Sequence, residues 1–134
     1  MNIDRAAFDT LVDQYISFAL SVRGSSEYRR LFPVFEQVDE MCQVDPQSTW
    51  AFILAALARD TSREFTEHLS AGLLEDFLAR HGRAMIEAVE QEAERNPAFS
   101  MLLGGVCEDR IDADIWSRID AVMDHRGWQD APGE

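Results

Sequence analysis

The residues of this 134-residue chain that could do chemistry are three histidines, two cysteines and an excess of carboxylates. His68 has only Glu64 one helical turn before it. Neither His81 nor His125 offers the paired spacing of an HExxH helix, so no metal site is expected. Cys42 and Cys107 lack a CxxC spacing and read as free thiols of a reducing compartment. Glu75 and Asp76 are adjacent, so on a helix they diverge by about a quarter turn and do not face each other as an acid/base pair. No GxSxG elbow, catalytic cysteine signature or glycine-rich phosphate cradle is present. Lysine is absent altogether, which removes Walker-loop and Schiff-base chemistry. The expectation is a chain with no catalytic residues and no cofactor, hence not an enzyme. An activity built on Glu75 and His81 is the least favoured reading.

The carboxylates are the stronger signal. Twenty-five acids face twelve bases, all arginine, for a formal charge of −13. Such a balance repels nucleic-acid phosphates and anionic membranes, and it complements a basic protein. Glu87, Glu90 and Glu94 recur at helical spacing along one side, with Glu92 nearby. Asp112, Asp114 and Asp120 add a second cluster, together with Asp109 and Asp124. These six residues, Glu87, Glu90, Glu94, Asp112, Asp114 and Asp120, are the candidate partner-binding set. The competing reading is a solvated face partly relieved by Arg110 and Arg118.

The elements that position these residues are all helical. No segment alternates with period two. The expected fold is all-α, a compact bundle or stack of antiparallel helical hairpins of about six helices, forming a single domain over 1–128 with a flexible tail at 129–134. Helices are expected near 4–20, 34–43, 46–59, 62–81, 83–95 and 112–126. Asp4 caps the first, whose inward face carries Phe8, Leu11, Val12, Tyr15 and Ala19. Pro33 breaks the second, leaving Phe35, Val38, Met41 and Cys42 inward. Asp45-Pro46 starts the third, which buries Trp50, Ile53, Leu54 and Leu57. Gly72 marks a bend or a close contact, and His81-Gly82 closes a helix. Leu69, Leu73, Leu74, Phe77, Leu78, Ile86 and Val89 form the apolar spine. Asn96-Pro97 ends the fifth helix. Gly104-Gly105 stops a short helix carrying Phe99, Leu102 and Leu103. Asp112 caps the last helix, with Ile115, Ile119, Val122 and Trp116 inward, and Gly127 ends it. The opening MNIDRAAFDT lacks the apolar core of a signal peptide, and no run is long enough to span a membrane. A cytoplasmic protein is expected.

Three segments, WAFILAALARD (Trp50–Asp60), LSAGLLEDFLARHG (Leu69–Gly82) and FSMLLGGV (Phe99–Val106), resemble a family of small bacterial proteins of unknown function, DUF6869. In that family a Trp-Phe-Ile helix precedes an A-G-P-L-E-D-L-L-x-x-H-G block and an L-G-G-V-W segment. The resemblance covers residues 45 to 128. Leu73 stands where proline is usual, and Cys107 where an aromatic is usual. Ala71, Gly72, Leu74, Glu75, Asp76, His81 and Gly82 match the central block. The resemblance implies no activity, and a structural role is expected for Gly72, Glu75, Asp76, His81 and Gly82.

Size, charge and missing catalytic motifs favour a small acidic binding protein, such as the immunity protein of a bacterial toxin or another inhibitor acting by protein–protein contact. The alternative is a helical scaffold or adaptor module of a larger assembly. No sequence feature speaks to the oligomeric state.

Overall fold

A computed structural model describes residues 4–129, and every regular element among them is helical. They gather into two compact units, one ending at His68 and one starting at Leu69. The polar tail expected over 129–134 lies, beyond Gln129, outside the described residues. Among the described residues no helix is long and apolar enough to cross a membrane.

The first unit holds α1 (Arg5–Leu20), α2 (Ser26–Val44), α3 (Pro46–Arg59) and the start of α4 (Arg63–Leu69). Asp4 caps α1 by accepting the Ala7 N–H at 2.8 Å. The chain leaves α1 at Ser21 and turns through Gly24, whose φ of 83° lies in the left-handed region where a side chain is strained. Asp45 ends α2, caps α3 through the Ser48 N–H, and precedes proline at the first helical position. α1, α2 and α3 pack on one another around Leu11, Val12, Tyr15, Phe18, Val38, Met41 and Cys42. Phe52 sits fully buried between the rings of Phe8 and Tyr15, at 5.9 and 5.4 Å between centroids. Burying a ring of that size contributes about 1.5–3 kcal/mol.

Three expectations for this unit are corrected. Pro33 does not break α2, which runs unbroken through it. The proline faces solvent, where water can satisfy the Arg29 carbonyl it leaves unpaired, while Leu31 and Val38 on the other face are held in the core. The α3 stripe is rotated from the expected one. Phe52, Ile53, Ala56 and Leu57 are buried, whereas Trp50 and Leu54 stay partly exposed. Phe35, expected inward, is 37% exposed, and Phe18 takes the buried place on α1.

In the second unit a π-helical turn (Ser70–Leu74) leads directly into α5 (Glu75–Arg95), followed by α6 (Pro97–Leu103), α7 (Ala113–Val122) and α8 (Arg126–Gln129). At the turn the Glu75 N–H reaches back to the Ser70 carbonyl, the five-residue spacing of a π-bulge. Gly72 lies on its exposed side with no atom within 4 Å of an added Cβ, so it makes no close contact. The expected apolar spine is buried throughout. It meets Phe99, Leu102 and Leu103 of α6 and Ile115 and Ile119 of α7, which packs along α5.

His81-Gly82 does not close a helix, because α5 continues to Arg95. Gly82 is buried, and a Cβ there would stand 3.1 Å from Ile115 Cγ2, so its smallness lets α7 lie close against α5. The last helix is also shorter than expected. α7 stops at Val122, Asp124 donates its N–H to the Ser100 carbonyl, and Gly127 falls inside α8 rather than ending a helix. Val122 and Trp116 are half-buried instead of core.

Candidate functional site

The helical repeat of α5 puts Arg83, Glu87, Glu90 and Glu94 on one line, since steps of four, three and four residues return to nearly the same angle. α7 packs beside that line and supplies Asp114 and Arg118 one turn apart, with Asp112 at its N-cap position. The two helices are laced together by arginine. Arg83 reaches Asp114 at 3.0 Å and Asp112 at 3.1 Å. Arg118 grips Glu90 with two nitrogens, Nε at 2.8 Å. A guanidinium has the fork to hold two carboxylate oxygens at once, which an ammonium lacks. These bonds hold the Asp114 and Glu90 carboxyls below their ordinary range and raise both arginines. Glu87 lies close enough to Arg118 to add to that shift.

Of the six predicted partner-binding residues, the structure therefore brings five to one α5/α7 seam. Glu90, Asp112 and Asp114 are paired in it, and Glu87 and Glu94 project from it into solvent. Asp120 belongs elsewhere. It is two residues past Arg118, hence on another side of α7, and stands 3.5 Å from the His125 ring. Glu92 is buried against the end of α5. Burial raises its carboxyl, but hydrogen bonds from Asn96 and Arg95 outweigh that and hold it below its ordinary value.

The central block makes a second cluster. Glu75 and Asp76 open α5 and both turn to one cation: Arg110 approaches Asp76 at 3.0 Å and Glu75 at 3.4 Å. The divergence expected of adjacent carboxylates is thus overcome by a guanidinium arriving from the loop before α7. Glu75 also accepts the Cys107 N–H at 3.1 Å, and Asp76 pairs with Arg80 at 3.5 Å. The pair pins the Gly104–Asp112 loop to the start of α5. Behind it Ser70, fully buried, donates to the Leu102 carbonyl at 2.9 Å. His81 lies mid-helix with its ring 5.9 Å from Phe77. Cys42 is buried, Cys107 is exposed, and neither forms a disulfide. Among the described residues no three His, Cys, Asp or Glu side chains are gathered as a metal would require.

Sequence spacing found the acids but missed Arg83 as their counterion, because that contact spans about thirty residues and depends on how α7 lies against α5. No curated protein and no solved structure matches the chain. The model of a family of unknown function, DUF6869, matches residues 25–127, three-quarters of the sequence and all of both clusters, and the chain belongs to that family.

Proposed function

We propose that the chain is a non-enzymatic binding protein for a basic protein partner, neutralising it as an immunity protein neutralises a bacterial toxin. The observation that carries this reading is the α5/α7 seam. Glu87 and Glu94 stand two turns apart on its exposed side, about 10 Å along the helix axis. Beside them Glu90, Asp112 and Asp114 are already fixed by arginines, so less side-chain freedom remains to be lost when a partner arrives. A partly neutralised seam within a chain of −13 still attracts cations over long range. The same charge disfavours nucleic acid and anionic membrane. Two cysteines that form no disulfide, Cys42 and Cys107, support a reducing, cytoplasmic setting.

The test reverses only the projecting acids, leaving both arginine networks intact. Wild type and the Glu87→Arg/Glu94→Arg variant are immobilised and exposed to extract from the native host. A basic protein should be retained by wild type, released as salt shortens the Debye length from about 8 Å toward 3 Å at 1 M, and not retained by the variant. Circular dichroism should be the same for both chains. Identical captured sets would sink the proposal.

A further inference from the structure

The corner where α1 gives way to α2 is built differently from the rest of the surface. Phe18 forms its floor, with Tyr28 stacked on it at 4.9 Å and 29° and Phe35 at 5.4 Å and 26°. The His68 ring meets Phe18 edge-on at 6.3 Å. These four rings line a half-open cavity of about 330 Å³, with Ser21 and Arg23 at its rim. That volume lies at the lower end of what small-molecule sites occupy. The rings are not sealed as a core would be. Phe32 and Phe35 are each 37% exposed, and Val22, between Ser21 and Arg23 in the chain, is 76% exposed.

The charge at this corner opposes that of the whole chain. Between Ser21 and Phe35 stand Arg23, Arg29 and Arg30 against Glu27 alone. Among the described residues, Arg23 and Arg29 are the arginines with no carboxylate within 4 Å. Arg29 is engaged by the Gly24 carbonyl at 2.6 Å, and Arg30 stands 3.9 Å from Glu27. Arg23 is thus an uncommitted guanidinium at the mouth of an aromatic cavity, in a chain where acids outnumber bases two to one. His68 is kept from protonating by desolvation, so it offers a neutral hydrogen-bonding group beside the rings.

We propose that this corner binds a small aromatic carboxylate, its flat body against Phe18, Tyr28 and Phe35 and its carboxylate on Arg23. Stacked rings supply flat apolar faces for such a body. A guanidinium forms strong, often bidentate bonds to a carboxylate. The site uses no residue of the α5/α7 seam, so it stands or falls independently of the proposed partner.

Three probes of one shape test it on the full chain: 2-naphthoate, 2-naphthalenemethanol and 2-naphthylmethylammonium, titrated by calorimetry and by amide chemical shifts. The carboxylate should bind about tenfold more tightly than the alcohol, with shifts centred on residues 18–35, and the ammonium should bind most weakly. Arg23→Gln, at an exposed position without a partner, should bring carboxylate and alcohol to equal affinity. Phe35→Ala should weaken both while keeping any preference. Equal binding of all three probes, no binding, shifts centred elsewhere, or a carboxylate preference that survives Arg23→Gln would each overturn the proposal. So would concentration-dependent self-association abolished by Phe35→Ala, which would make the corner an interface between copies of the chain.

Discussion

Gly105 and Gly72 are both glycines of the second unit, yet a methyl group would have opposite effects on them. A Cβ at Gly105 would lie 2.5 Å from Ser70 Oγ and 2.8 Å from the Trp128 indole. Ser70 cannot simply swing aside, because its hydroxyl is committed to the Leu102 carbonyl and would be left buried and unpaired. Gly105→Ala should therefore destabilise by about 1–3 kcal/mol, the usual range for overpacking a filled site. At Gly72 the space is open and the backbone helical, so Gly72→Ala should stabilise by about 0.5–1 kcal/mol through the lost freedom of the unfolded chain. Urea midpoints of the two variants, moving in opposite directions from wild type, check both statements. Shifts of the same sign would mean that Gly105 is not held by Ser70 and Trp128.

At the scale of the helix, Pro33 is the clearest local conflict in the chain. It sits inside α2, costing a backbone hydrogen bond that the surrounding packing outweighs. Pro33→Ala should restore the bond to the Arg29 carbonyl and raise stability by roughly 1–3 kcal/mol, less what the proline contributes by stiffening the unfolded chain. Thermal melts and helix signal at 222 nm give the answer. An unchanged melting temperature would mean that α2 has already relaxed around the ring. Pro33 also marks the limit of what could be read beforehand. Helix starts at Asp4 and Asp45-Pro46 were legible because a cap acts on its own next turn. Pro33, Gly82 and Trp50 were misread because their consequences depend on what lies opposite: solvent, Ile115, and a stripe rotated toward Phe52. The acids of the seam were legible from spacing along α5. Their grouping around Arg83 was not, and neither was the aromatic corner, whose rings come from three helices.

Over the whole chain, the groups with depressed pKa values share one sign of pH dependence. His68 is lowered by desolvation, so below its ordinary pKa near 6.5 the unfolded chain takes up a proton that the folded one resists. Stability is complete above that point and falls as pH drops through the folded value. The carboxyls of Glu90, Glu92, Asp114 and Asp124 follow at lower pH, their contribution being lost as pH falls below the ordinary carboxylate range. His68→Gln should flatten the first limb, the one that begins below about pH 6.5, and leave the second in place, as urea midpoints measured along a pH series would register. A first limb unchanged in the variant would assign that loss to another group.

The way aromatic residues are shared between inside and outside has an optical consequence. The fully buried rings of Phe52, Phe65, Phe77 and Phe99 barely emit, while Trp50, Trp116 and Trp128 all stand at half-buried positions. Tryptophan fluorescence of this protein, excited selectively over tyrosine, is therefore a signal from half-buried positions and not from the sealed core. Trp128 covers Gly104 and Gly105 from a helix of four residues, so its emission can shift to the red while every long helix is still formed. A fluorescence transition that precedes the circular dichroism transition would record the lifting of one indole, not a partly folded intermediate.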